Sequence, residues 1–259
     1  MSWFEALILG LVQGLTEFLP VSSSGHLEIG KALFGVDFET GFTFTLAVHG
    51  ATVLSTIVVL RHELLKLARG VMEFKYNDET RYVLMLFVSI IPVGLAALFF
   101  KERIELLFEG RIVLVGVMLV FTAALLFLTT RFNDRGVELS FIRAFLIGIA
   151  QAVAVIPGVS RSGATISAGM ILGIRRDRVA EFSFLMVLLP VIGANILELA
   201  DSAGGPGSGG IATIIIGFAA AFVSGLFACR IMIALVRRSK MWWFSLYCLA
   251  VGVMAIIFG

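Results

Sequence analysis

Residues 142–174 read IRAFLIGIAQAVAVIPGVSRSGATISAGMILGI, two apolar stretches parted by Pro157-Gly158-Val159-Ser160-Arg161-Ser162-Gly163. Crossing ~30 Å of hydrocarbon takes about 20 apolar residues in a helix, and each piece here has only roughly 12–17. Residues 3–35 repeat the pattern around Pro20 and Ser22-Ser23-Ser24-Gly25-His26. Non-helical backbone at membrane depth is tolerated where protein buries it or where it lines a watery cavity. Each region therefore reads as a re-entrant helical hairpin whose break faces an internal cavity. Two short tilted spans per region is the competing reading.

Composition makes lipid the solvent. The 259 residues are 59% hydrophobic and 15% charged, with a mean hydropathy of +1.02. A soluble domain is nearer half apolar and a quarter charged, so polar surface is too scarce here to cover a water-soluble globule. Six segments are apolar and long enough to span: 42–60, 82–100, 112–129, 182–200, 211–230 and 242–258. The fold class expected is an all-α integral membrane protein of about six full transmembrane helices plus two re-entrant hairpins. A net charge of +2 gives no reason to expect nucleic acid. Cys229 and Cys248 lie in apolar runs and read as small hydrophobes. The start Met1-Ser2-Trp3-Phe4-Glu5 lacks the basic region of a cleavable signal, so the first apolar run is expected to stay in the mature protein.

The two broken regions share one register. At an offset of 138, Gly10 aligns with Gly148, Gln13 with Gln151, Ser22 with Ser160, Ser24 with Ser162, Gly25 with Gly163 and Phe44 with Phe182. This reads as an internal duplication, repeat one about 1–130 and repeat two about 139–259, within a single membrane domain. Three spans separate the hairpins, and an odd number inverts the second copy. With the N-terminus outside, fifteen of the 20 Lys and Arg fall in inside loops and four (Lys31, Lys101, Arg103, Arg111) outside, Arg161 lying within a break. The loop Asp201–Gly210 has no cation. That bias places both termini outside, hairpin one entering from the outer face and hairpin two from the cytoplasm.

Charges inside a membrane segment need a reason. Glu17 follows Gln13 by four residues, on the same helix face. The three serines and His26 come next, giving a carboxylate, hydroxyls and an imidazole beside a helix start. Capping accounts for one serine and leaves Glu17 and His26 unexplained. Arg161 is always charged and must meet an anion. Around it, Gly158, Ser160, Ser162, Gly163 and Thr165 offer backbone and hydroxyl donors, and a helix starting there aims its positive end at the same place. Together these make a phosphate cradle; an Arg161–Glu17 ion pair that only ties the halves together is the plainer alternative, and the two readings are compatible. His49 reads as a hydrogen-bonded packing residue. Asn195 and Gln151 read as bonds between helices, Glu28 and Lys31 as a helix-surface pair, and Glu181 as a charge near a helix start. No zinc spacing, Walker motif or dinucleotide fingerprint occurs.

Gln13-Gly14-Leu15-Thr16-Glu17-Phe18-Leu19-Pro20-Val21-Ser22-Ser23-Ser24-Gly25-His26 resembles the first signature of the undecaprenyl pyrophosphate phosphatase, or bacitracin-resistance (BacA), family. Pro157-Gly158-Val159-Ser160-Arg161-Ser162-Gly163-Ala164-Thr165 resembles the second, and Glu181-Phe182-Ser183-Phe184 also fits. The resemblance covers nearly the whole chain. It implies a plasma-membrane phosphatase that turns a polyprenyl pyrophosphate into the monophosphate carrier with a divalent cation, Mg²⁺ or Ca²⁺, at a site opening outward. By motif position it implies Glu17 as essential carboxylate and metal ligand, Ser23 and His26 as nucleophile and partner, and Arg161 as pyrophosphate anchor. Gln13, Ser22, Ser24, Gly25, Ser160, Ser162, Gly163 and Thr165 would make the substrate contacts. Position 13 varies between Glu and Gln in the family; Gln13 leaves this helix one carboxylate, which puts in doubt a mechanism needing two acidic ligands from it. Metal-bound water is an alternative nucleophile. A secondary transporter or flippase of a lipid phosphate, built on the same inverted repeat, is the rival class, and a homodimer is allowed.

Overall fold

The computed structural model describes residues 1–35, 38–108, 111–132, 134–201, 210–237 and 241–259. Among them the regular elements are all helices, apart from one isolated bridge between Val137 and Ile174. The first broken region is α1 (Trp3–Phe18) and α2 (Ser23–Phe34). Then come α3 (Phe38–Val59), α4 (Arg61–Met72), α5 (Asp78–Glu105) and, after a short 3₁₀ turn, α6 (Ile112–Thr129). The second broken region is α7 (Phe141–Val153) and α8 (Arg161–Ile171), followed by α9 (Arg176–Asp201), α10 (Ile211–Arg237) and α11 (Trp242–Phe258).

Each of the six expected spans is a helix. Three of them, Asp78–Phe100, Ile112–Thr129 and Ile211–Val236, are long and apolar enough to cross a membrane alone. The first expected span ends at Leu60, where the axis bends 73° into α4, so that α3 and α4 together make a fourth candidate. In α9 the first turns carry Arg176, Asp177, Arg178 and Glu181, which shortens the apolar part. The 17 residues of α11 reach about 25 Å at 1.5 Å per residue. Large apolar side chains point away from the protein, Leu98 77% exposed and Phe99 70%, a surface that only lipid solvates well. The loop read as cation-free lies, for 202–209, outside the described residues, as do Arg238 and Lys240.

The breaks fall where the prolines and polar runs put them. Pro20 holds Leu19 extended (φ −68°, ψ 144°), which stops α1. Ser22 then caps α2, its Oγ accepting from Gly25 N at 3.3 Å; Ser160 caps α8 in the same way, accepting from Gly163 N at 3.1 Å. The Ser22–Ser24 and Ser160–Ser162 hydroxyl pairs are both 3.3 Å apart. Gly158 has φ +93°, and a Cβ there would run into the Val115 carbonyl. Thr122 of α6 fixes this turn, donating to Gly158 O and accepting from Ser160 N.

Several helices cross closely at glycines. A Cβ on Gly10 of α1 would strike the backbone of Gly217 in α10, and one on Gly148 of α7 would strike that of Ser89 in α5. Gly116 of α6 and Gly252 of α11 meet reciprocally, each facing the other's carbonyl oxygen. Phe44 and Phe182 are both 1% exposed.

Candidate functional site

The two breaks abut. Ser162 Oγ, at the start of α8, donates to Leu19 O across the molecule at 3.1 Å, and the Gly163 position faces the Pro20 ring. This brings the N-termini of α2 and α8 to the end of α1, where the first N–H groups of each helix lack intrahelical partners.

Glu17 is the centre of what collects there. Its side chain is 11% exposed. Oε2 accepts from Ser23 Oγ at 2.6 Å and from Gln13 Nε2 at 3.0 Å. His49 Nε2 stands 3.9 Å from the same oxygen, and Arg161 Nη1 lies 4.0 Å from Oε1. A carboxylate in a membrane protein's interior is kept by such partners, since leaving it unpaired is the expensive alternative. Arg161 keeps 30% of its side chain open to the outside, so it has room for a further anion.

His26 is placed elsewhere. Its Nδ1 bonds Ser22 O at 2.8 Å and its Nε2 bonds the Tyr247 hydroxyl at 2.8 Å. The hydroxyl of Ser23 is thus on Glu17, not on the histidine that the motif reading pairs with it. Several residues read as phosphate contacts are also turned inward. Ser22 and Ser160 serve as helix caps, occupying the N–H groups of Gly25 and Gly163, and Ser24 Oγ meets Ser22 Oγ. Thr165 is fully buried and bonds Arg161 O, Ser162 O and Ser183 Oγ. Gln13 is fully buried and faces Glu17. Ser162 and Arg161 remain on the cavity wall.

A small cavity of about 30 Å³ opens from this point. Glu17, Arg161, Ser162, Ser183, Thr52 and Thr56 make its polar wall, and Phe18, Val53, Phe184, Val187, Leu188 and Val191 its apolar wall. Phe184, Val187, Leu188 and Val191 follow the i, i+3, i+4, i+7 spacing of one helix face, a continuous apolar strip along α9. The sequence reading passed over His49 as a packing residue and missed Thr52, Thr56 and Tyr247. One signal was available: positions 49, 52 and 56 form a polar stripe on one face of an otherwise apolar span.

Among the described residues no three His, Cys, Asp or Glu side chains gather to form a protein-only metal cage. The donor set does fit a hard cation that shares its shell with phosphate. Glu17 supplies one carboxylate, and beside it Gln13 Oε1 is buried with no hydrogen-bond partner. Magnesium is commonly held by one or two carboxylates together with substrate phosphates.

A family model described as bacitracin resistance protein BacA matches residues 6–254. A Bacteroides fragilis protein named undecaprenyl-diphosphatase is 49% identical, the alignment covering 99% of this chain and 98% of that protein. Proteins of the same name from Parabacteroides distasonis and Methanosphaera stadtmanae are 48% and 33% identical, over 99% and 98% of this chain and 98% and 96% of their own lengths.

Proposed function

The chain belongs to the bacitracin resistance protein BacA family, and from that membership and the geometry of the site we propose that it is a multi-pass membrane phosphatase that hydrolyses undecaprenyl pyrophosphate to undecaprenyl phosphate and inorganic phosphate, recycling a cell-envelope glycan carrier. The Ser23 Oγ to Glu17 Oε2 hydrogen bond of 2.6 Å, formed beside Arg161, carries this reading. A serine hydroxyl is a weak nucleophile until a base takes its proton, and Glu17 is the base within reach.

In the reaction Ser23 Oγ attacks the terminal phosphorus and its proton passes to Glu17. The bond from that phosphorus to the bridging oxygen breaks, and the prenyl monophosphate leaves with the oxygen. The proton on Glu17 passes to the departing prenyl phosphate; water then attacks the phosphoserine, giving a proton to Glu17, which returns it to Ser23 Oγ as phosphate leaves. Arg161 and the N-termini of α2 and α8 offset the charge on the equatorial oxygens, where most of the catalytic effort in phosphoryl transfer is needed. A divalent cation, held by Glu17 with the Gln13 carboxamide oxygen, would add charge neutralisation at the phosphates. The apolar strip on α9 seats the first isoprene units, so one pocket takes both ends of the amphiphile.

The close approaches of α1 to α10 at Gly10 and of α7 to α5 at Gly148, with the reciprocal Gly116–Gly252 contact, support a duplicated architecture of two related halves. With the cation bias of the loops, they favour re-entrant hairpins inserted from opposite faces and a site opening outward. Phosphate release from farnesyl pyrophosphate by the purified protein, with and without EDTA, tests the function. Release that disappears in EDTA and in a folded Glu17→Ala variant is the expected result. A folded, lipid-supplied wild type that releases nothing would overturn it.

A further inference from the structure

We propose that Tyr247, near the end of the chain on α11, is a positioning residue of this site: through His26 it holds the turn that presents Ser23 to Glu17. The inference rests on the phosphatase reading above. For a neutral ring the chemistry of the bonds fixes their direction. A carbonyl only accepts, so His26 Nδ1 is the protonated nitrogen and donates to Ser22 O at 2.8 Å. Nε2 of the neutral ring is then an acceptor, and the Tyr247 hydroxyl donates to it at 2.8 Å. The rings also stack, 10° from parallel with centroids 5.5 Å apart.

Ser22, the residue the ring grips, has φ +70° and ψ 95°, a region that residues with side chains rarely adopt. Such a conformation persists where surrounding bonds over-determine it. The second half of the molecule provides the control. There the cap Ser160 has relaxed angles of φ −72° and ψ 118°, and the position equivalent to His26 is Ala164. The half without the histidine lacks the strained cap. In the half with it, the strained residue immediately precedes Ser23, whose hydroxyl reaches Glu17. Tyr247 O–H to His26 Nε2, then Nδ1–H to Ser22 O, forms a brace from α11 to the nucleophile.

The test compares the wild-type full chain in lipid nanodiscs with Tyr247→Phe, His26→Ala and the double variant. The readouts are kcat and KM for phosphate release from farnesyl pyrophosphate, and ¹⁵N spectra of the three histidines. Tyr247→Phe keeps the ring stack and removes one hydrogen bond. It should lower kcat about tenfold, with KM changed less than twofold. It should also shift the acceptor-nitrogen resonance of the one histidine whose signal His26→Ala deletes. Because Tyr247 acts through His26, the double variant should be no slower than His26→Ala. An unmoved resonance, a wild-type kcat in Tyr247→Phe, or losses that multiply in the double variant would each overturn the brace. A wild type that releases no phosphate would instead overturn the phosphatase reading, leaving the resonance to decide the Tyr247–His26 bond.

Discussion

Ser23 and Arg161, 138 residues apart, are each the first residue of a helix behind a capping serine, and both face Glu17. One reaches Oε2 at 2.6 Å and the other Oε1 at 4.0 Å. Two N-termini of one design thus meet at a single carboxylate, one offering a hydroxyl and the other a guanidinium.

The hydroxyl side of that arrangement predicts a covalent intermediate. Glu17→Gln keeps the shape and removes the base, and should lower kcat by about 10²–10⁴-fold. Ser23→Ala should abolish the acid-stable phosphoenzyme trapped from ³²P-labelled farnesyl pyrophosphate. Labelled phosphate bound to Ser23→Ala as strongly as to wild type would reject Ser23 as nucleophile.

The guanidinium side predicts that charge alone is not enough. Arg161→Lys retains the cation but loses the planar fork that grips two phosphate oxygens at once. A loss in kcat/KM of roughly 10–100-fold is expected, between wild type and Arg161→Ala. Equal activity of Lys and Arg would mean that Arg161 acts only as a distant point charge.

The sequence reading located both breaks, the shared register and Glu17 with Arg161, because proline, glycine and charge are rare in apolar helices and each has a local cause. The family resemblance pairs His26 with Ser23; in the structure the Ser23 hydroxyl is on Glu17, and the His26 ring bonds Ser22 O and Tyr247 of α11. Nor could sequence show that Ser22, Ser160 and Thr165 spend their hydroxyls on caps and buried bonds, since a serine in a turn looks the same whether it holds a ligand or a backbone N–H. Tyr247, 221 residues from His26, carries no local signal at all. The 73° bend at Leu60 between α3 and α4 was not foreseen in the sequence.

The close helix crossings predict equal sensitivity at two distant glycines. At Gly10 and Gly148 an added methyl meets backbone of α10 and of α5, which cannot move aside as a side chain tip can. Gly10→Ala and Gly148→Ala should each destabilise by about 1–3 kcal/mol, as overpacked positions do. Thermal unfolding in one detergent checks this; a neutral result at one glycine and not the other would argue against equivalent packing in the two halves.

The apolar strip on α9 predicts discrimination by tail length. Leu188 is 8% exposed and lines the pocket, so Leu188→Trp should fill the path of the prenyl chain while leaving the phosphate end open. KM should rise by about tenfold for farnesyl pyrophosphate, the loss expected from one or two lost apolar contacts, and little for isopentenyl pyrophosphate. The same change in KM for both substrates would mean that the tail leaves the site by another route.

The single carboxylate beside an unpaired amide oxygen predicts how the site meets a cation. Gln13 Nε2 donates to Glu17 while Gln13 Oε1 is buried without a partner. Gln13→Glu removes that donor and sets a second carboxylate against the first, an arrangement that is repulsive unless a cation or a proton intervenes. In EDTA the variant should unfold at a lower temperature than wild type. Added Mg²⁺ should restore it by more than wild type gains, because a ligand that binds only the folded state stabilises it according to its affinity. Half-saturation of phosphate release should shift to about tenfold lower Mg²⁺, as a second carboxylate is a usual magnesium ligand. Were the cation held away from Glu17, the variant would stay destabilised at every Mg²⁺ concentration and its Mg²⁺ dependence would match wild type.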